Sequence, residues 1–446
     1  MKNKLFISIY CGLMILLASC NNYLDVKPKG KIIPETAEDF STIIHYWLDQ
    51  IEKGRDDVII PNPEVMTTLE MFADDLNATL ASNFGYTSIY VGSAINKNQA
   101  TYKTLYSVIK DCNMVIGNMD DTESDLARTL LGTAWSIRSI CYYNLMQRYC
   151  EPYQPETAKE TLGLPLVDDF DMEAKPARAN LKETAEFIEE GFRKALSYNV
   201  SNEDFIFTSS VTKAYFARFF FWTQNWSNAI TYAKEVLEKY PMLEADEYVE
   251  AINQKQAKAH NVIIRSFTMD DDIGTMSYAT AQADIKSRPV DKNLVDLFAA
   301  TDNDVRRRCN YDSKRIVNKI ITTKFRSEEL CLIIAEAHAH LNQETDALGY
   351  LNQLRSKRIT QNYIAYTIDN LPEVFQQNIK TDATGIPLTK LMSAILCERR
   401  KELFVEGDRW FELKRNGRPE FWVAAKGKKF ITEKYLYTFP IPKADI

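Results

Sequence analysis

Few residues in this 446-residue chain combine the types and spacing that bond-making chemistry needs. His45, His260, His338 and His340 are its only histidines. The last two lie two positions apart in a helical stretch, so they point to different faces and cannot share a metal ion. Adjacent carboxylates at Asp74-Asp75 and Asp168-Asp169 could in principle supply an acid and a base to a glycosidic bond. In a chain with 61 Asp and Glu, such doublets arise by coincidence. Asp270-Asp271-Asp272 lacks the alternating oxygen ligands and glycine of a calcium loop and reads as a solvated acidic turn. No HExxH, GxSxG, phosphate-loop or dinucleotide motif occurs, so the residues point away from an enzyme and imply no cofactor.

Cys20 stands apart from these. Lys2 and Lys4 precede a mostly apolar stretch over 5–17, and Leu17-Ala18-Ser19-Cys20 closes it. A charged start, a short apolar run and small residues at the cut make a secretory signal over 1–19, too short to span a bilayer comfortably. A Cys at the cut resembles the lipobox of bacterial lipoproteins. Its thiol would be acylated, and diacylglycerol plus an N-acyl chain suffices for stable anchoring. Residues 20–36, polar and interrupted by Pro and Gly, read as a lipidated tether, and 37–446 as a single domain.

Loss of residues 1–19 removes two lysines and no acid, so the net charge moves from −7 to −9. An acidic surface argues against nucleic acid as a partner and against electrostatic adhesion to anionic lipid. Cys112, Cys141, Cys150, Cys309, Cys331 and Cys397 show no CxxC pair or disulfide framework and read mostly as buried small apolar residues.

The elements that would position a site are helices. Helical periodicity predicts helices over 37–51, 97–118, 124–149, 181–197, 209–224, 226–239, 327–341, 345–357 and 387–414. Thr36 and Asp39 form an imperfect capping box for the first. No strand–helix alternation appears, and the fold class is mainly all-α. Within 209–241, Ala217, Phe220, Ala229 and Pro241 fall where a tetratricopeptide hairpin wants small, aromatic, small and closing residues. Within 327–358, Ala335 and Ala347 repeat the twelve-residue step. Between helices lie three long irregular stretches, 54–95, 151–180 and 243–293. Such lengths are rarely idle in a compact domain. The aromatic content of the first and third speaks against disorder.

The densest segment runs Glu398-Arg399-Arg400-Lys401-Glu402-Leu403-Phe404-Val405-Glu406-Gly407-Asp408-Arg409-Trp410-Phe411-Glu412-Leu413-Lys414-Arg415. By itself it reads as a charged helix face beside a Leu403/Phe404/Trp410/Leu413 stripe, an element of structure and not of ligand binding. It also resembles the C-terminal signature of the SusD/RagB-like outer-membrane lipoproteins, with Glu412 in place of the usual Asp. Other segments resemble that family in order: Asn22 to Pro28, Cys112 to Ile116, Trp135 to Tyr149, Leu162 to Val167, Asp304-Val305-Arg306, Ala335-Glu336-Ala337, Leu351 to Arg355 and Phe439 to Pro442.

The resemblance implies tetratricopeptide-like hairpins carrying irregular binding loops. It also implies a non-catalytic receptor that captures a nutrient, often a glycan, at the cell exterior. Such a receptor hands its ligand to a TonB-dependent SusC-like transporter, with the membrane reached only through the lipid on Cys20. Sugar rings stack their C–H faces on aromatic planes, and their hydroxyls need carboxylates, amides and Arg. The loops offer Phe84, Tyr86, Tyr90 and Tyr278 as stacking surfaces, and Asp74, Asp75, Asn77 and Arg288 as polar anchors. Asp75 leads, because the Asp74-Asp75 pair resembles a short acidic motif at a comparable place in the family. The alternative is a periplasm-facing helical-repeat scaffold for envelope assembly. Such a scaffold has no need of long aromatic loops.

Overall fold

The computed structural model describes residues 34, 36–53, 58–82, 90–97, 101–169, 176–254, 259–265, 272–299, 303–321, 324–425 and 427–442, with 272–277 described as backbone. Cys20 and its tether up to residue 33 lie outside the described residues, as do Phe84, Tyr86, Asp270 and Asp271.

The helices are α1 (Ala37–Glu52), α2 (Pro63–Phe72), α3 (Thr101–Asn118), α4 (Asp125–Tyr149), α5 (Leu181–Ser197), α6 (Ser209–Trp222), α7 (Trp226–Lys239), α8 (Ala245–Ile252), α9 (Asp272–Lys286), α10 (Lys292–Val295), α11 (Val305–Asn310), α12 (Ser327–His340), α13 (Glu344–Ser356), α14 (Lys390–Glu402) and α15 (Arg409–Arg415). Among the described residues, strands form three antiparallel pairs: β1 (Leu162–Pro165) with β2 (Arg178–Asn180), β3 (Val262–Arg265) with β4 (Lys324–Arg326), and β5 (Phe421–Ala425) with β6 (Lys428–Thr432). The mainly helical class read from the sequence holds.

Local chemistry explains the helix starts. At α1, Thr36 accepts from the Asp39 amide and Asp39 accepts from the Thr36 amide, completing the capping box. Phe40, Ile44, Leu48 and Ile51 then repeat on one buried face. Asn180 and Glu183 make the same reciprocal cap at α5. Packing follows chain order: α3 on α4, α4 on α5, α5 on α6, α6 on α7, α7 on α12, and α12 on both α13 and α14. Ala217, Ala229, Ala335 and Ala347 are fully buried, and their small side chains let the paired helices approach closely. The main core runs through this stack. Among the described residues the six cysteines from Cys112 to Cys397 form no disulfide, and all but Cys397 are buried.

Two expectations need correction. The predicted helix over 387–414 is two helices, α14 and α15. Val405 (φ 59°) and Gly407 (φ 77°) adopt left-handed backbone between them, which no right-handed helix can pass through. The Gly407 amide instead donates to Glu70 Oε1 at 2.7 Å. The stretches 54–95 and 243–293 are also less irregular than their sequence suggests. The first contains α2, whose start is set by Asn62 accepting from the Val65 amide and Pro63 in the first turn. The second contains α8, β3 and α9.

Candidate functional site

The structure joins the two long stretches that the sequence marked as binding loops. The Asn77 amide donates to the Pro289 carbonyl at 2.8 Å, the Ser82 amide to the Ser287 carbonyl at 2.8 Å, and the Asp291 amide to the Asp75 carbonyl at 2.7 Å. Leu76 and Val290 pair as an antiparallel bridge. Beneath them α2 packs on α9. Leu76, Ala281, Ile285, Val290 and Leu294 share a cluster with Phe404 and Val405. The joined loops therefore rest on the bend between α14 and α15.

The polar side chains proposed as ligand anchors hold this junction from inside. Asp74 accepts from Arg409 Nε (2.7 Å), Arg409 Nη2 (3.0 Å) and Asn378 Nδ2 (2.9 Å). Burial by itself would raise its pKa, but the Arg409 and Arg400 guanidinium groups outweigh burial and hold it well below the usual carboxylate range. Asp75 is fully buried against Arg400 Nε at 2.5 Å. Asn77 is half-buried; its Oδ1 caps the 78–80 turn and its Nδ2 donates to Asp291 Oδ2 at 3.0 Å. Arg288 is 1% exposed and donates from Nη1 to the Met71 carbonyl at 2.8 Å. Burial lowers its pKa to about 10.

The described aromatics also point inward. Tyr90 packs on Phe72, with ring centroids 6.1 Å apart, and Tyr278 donates from its hydroxyl to Gln282 Oε1 at 3.1 Å. Asp75, Tyr90, Tyr278 and Arg288, expected to face a ligand, are instead buried on internal partners, whereas Asp74 and Asn77 are half-buried. A side chain buried on internal partners positions a loop and has no surface left to offer. Phe84 and Tyr86 lie outside the described residues.

The charged signature around α14 and α15 is likewise interior. Glu402 accepts from Arg326 Nη1 (3.0 Å), Arg358 Nε (3.0 Å) and Arg306 Nη1 (3.4 Å). Glu398 accepts from Arg306 Nη2 (2.7 Å) and Lys401 Nζ (2.5 Å). Glu406 takes Arg326 Nη2 (2.8 Å) and Lys319 Nζ (2.6 Å). Burial would raise Glu398, but Lys401, Arg306 and Arg355 bring it down to about 2. This lattice ties α14 to α11, β4, α12 and the end of α13. It is a clamp, as the structural reading of the segment required, although its charges are buried and not solvated.

What faces solvent at this corner is the β5–β6 hairpin, which the sequence reading missed. Strand β5 packs on the 78–80 turn, and β6 on the 92–97 turn. Four of the nine large apolar side chains exposed among the described residues lie on these neighbours: Leu80 (53%), Trp422 (61%), Ile431 (46%) and Tyr435 (53%). Trp422 and Ile431 are direct cross-strand partners, and Lys429 Nζ lies 5.2 Å from the Trp422 ring centroid. The sequence did carry a signal. An apolar strand, Phe421–Ala425, and a mixed one, Lys428–Thr432, flank Lys426-Gly427, and Gly427 (φ 70°) supplies the left-handed turn residue. Elsewhere, a groove of about 550 Å³ lies between α7 and α13, lined by Lys234, Asp346, Tyr350, Gln353 and Lys357 among others.

Comparison with known proteins agrees with this architecture. A profile described as the SusD family matches residues 309–446, and one described as starch-binding, associating with outer membrane, matches residues 22–221. The chain belongs to the SusD/RagB family. No curated protein matches it. It is similar in structure to a SusD superfamily protein from Bacteroides vulgatus ATCC 8482 (17% identity, TM-score 0.71, covering 92% of this chain and 97% of that one). It is also similar to a SusD-like carbohydrate-binding protein from the same organism (20%, TM-score 0.67, 92% and 96%) and to a laminarin-binding SusD-like protein (16%, TM-score 0.55, 86% and 91%). At these identities the likenesses establish the fold.

Proposed function

We propose that this protein is a non-catalytic lipoprotein of the outer membrane, anchored through acylated Cys20 and facing the cell exterior. It captures a glycan and delivers it to a TonB-dependent SusC-like transporter. The observation that carries the reading is the joined corner: segments 76–82 and 287–291, about 210 positions apart in sequence, are locked together beside a hairpin presenting an exposed tryptophan. Binding sites placed on loops by a rigid scaffold are the common arrangement. The family membership, and the carbohydrate- and laminarin-binding relatives of the same fold, support the ligand class. Among the described residues no helix is long and apolar enough to cross a membrane, which is compatible with a lipid anchor.

The test is a calorimetric screen of the mature protein against oligosaccharides and peptides, paired with affinity purification from outer membranes. Saturable glycan binding and co-purification of a TonB-dependent transporter are expected. Binding confined to peptides, or none to any glycan, overturns the reading.

A further inference from the structure

The β5–β6 hairpin carries a local excess of positive charge between Glu420 and Glu433. Residues 421–432 hold three lysines, Lys426, Lys428 and Lys429, and no acid, within a protein of net charge −7. Lys428 and Lys429 are exposed. In the register Trp422–Ile431 and Ala424–Lys429, alternation along each strand puts Trp422, Ala424, Lys429 and Ile431 on one face. That face is outward at Trp422, Ile431 and Lys429. The hairpin is held in place through β5 against the 78–80 turn and β6 against the 92–97 turn, where Phe430 Cβ comes within 3.4 Å of the position a Cβ on Gly92 would occupy. The tryptophan is thus presented on a braced strand.

We propose that this face is a subsite for an anionic sugar unit, one bearing a carboxylate or a sulfate. This deepens the glycan-capture reading and rests on it. The open indole stacks on the C–H face of a pyranose ring, and Ile431 extends the apolar floor. A carboxylate or sulfate on the stacked ring falls within reach of the Lys429 ammonium, whose place 5.2 Å from the ring centroid is already set by its cation–π contact. A charge-assisted contact to a surface ammonium beside a stacking ring discriminates acidic from neutral sugars. The local excess of lysine would also draw a polyanion to this corner of an otherwise acidic protein.

The experiment is calorimetry on the full mature chain at low and moderate salt with four probes: oligogalacturonate for carboxylate, chondroitin sulfate oligomers for sulfate, and laminarin and maltooligosaccharides as neutral chains. Trp422→Ala and Lys429→Gln are compared with wild type after confirming unchanged melting. Both side chains are exposed, so folding should be untouched. Wild type should bind at least one acidic probe about tenfold more tightly than either neutral one, with affinity falling as salt rises. Trp422→Ala should lose at least tenfold, and Lys429→Gln should erase most of the acidic preference while sparing what neutral binding exists. Neutral glycans bound best, or acidic glycans bound equally by Lys429→Gln, overturn this subsite and leave glycan capture standing. No binding of any of the four probes overturns the subsite, and failure across the wider screen overturns glycan capture as well. Loss of transporter co-purification with unchanged acidic-glycan affinity would reassign the face to the transporter and overturn the subsite.

Discussion

Asp75 and Arg400, 325 positions apart, meet in a buried ion pair with Oδ1 2.5 Å from Nε. The contact joins the segment just after α2 to the last turn of α14 and fixes where the 76–82 segment leaves the core. Removing one partner of such a pair strands the other charge in a desolvated site. Asp75→Asn should therefore reduce stability by about 3 kcal/mol, the low end of the usual range, because Asp74 Oδ1 remains 3.7 Å from Arg400. Denaturant titration checks this. Normal stability with lost ligand affinity would return Asp75 to the binding site.

Trp410 tests the same distinction on the apolar side. It is 1% exposed and stacks on Tyr437 at 4.4 Å, with Phe72 edge-on at 5.4 Å. Truncating a buried aromatic typically costs about 3–5 kcal/mol. Trp410→Ala should lower the melting temperature and the yield. The fraction that folds should bind glycan as wild type does.

The buried charges set the response to pH. Glu398 and Glu336 both lie near 2 in the folded protein against an ordinary 4.5; burial opposes this, but Lys401 with Arg306, and Arg415, outweigh it. Depressed folded values mean that their stabilisation is complete above about pH 4.5 and drains away as the pH falls towards 2. Glu70 runs the other way. Burial and the neighbouring Asp75 push it up to about 8, so its contribution is full below about pH 4.5 and is lost as pH rises to 8. Glu70→Gln keeps an acceptor for the Gly407 amide. Its melting temperature relative to wild type should climb steadily between pH 5 and 8. A difference independent of pH would show that Glu70 is not held protonated.

How much of this could be read from the sequence depended on whether the controlling contacts were local. The bounds of α5 and α7 match the predicted 181–197 and 226–239, because their apolar periodicity and caps lie within the segments themselves. The break between α14 and α15 is not legible locally because it depends on Glu70 meeting the Gly407 amide across 337 positions. Asp74, Asp75 and Arg288 looked like ligand anchors because nothing in their own neighbourhoods shows Arg409, Arg400 or the Met71 carbonyl coming to meet them. Trp422 is hard to read from sequence because its exposed ring sits on a short hairpin marked only by Lys426-Gly427 and strand alternation.

The lipid is expected to be the sole membrane attachment. Cys20→Ser should leave a folded protein that fractionates as soluble after a high-salt wash. Retention in membranes from cells that lack the transporter would show a second attachment.

Glycan is expected to be captured at the joined loops and the hairpin beside them. Hydrogen-exchange mass spectrometry reads this directly on the wild-type mature protein, with and without the tightest oligosaccharide from the screen at saturating concentration. Slowed exchange is predicted in 76–82, 287–291 and 421–432, with α7 and α13 unchanged. Protection of the groove between α7 and α13, with those three segments unaffected, would contradict the account.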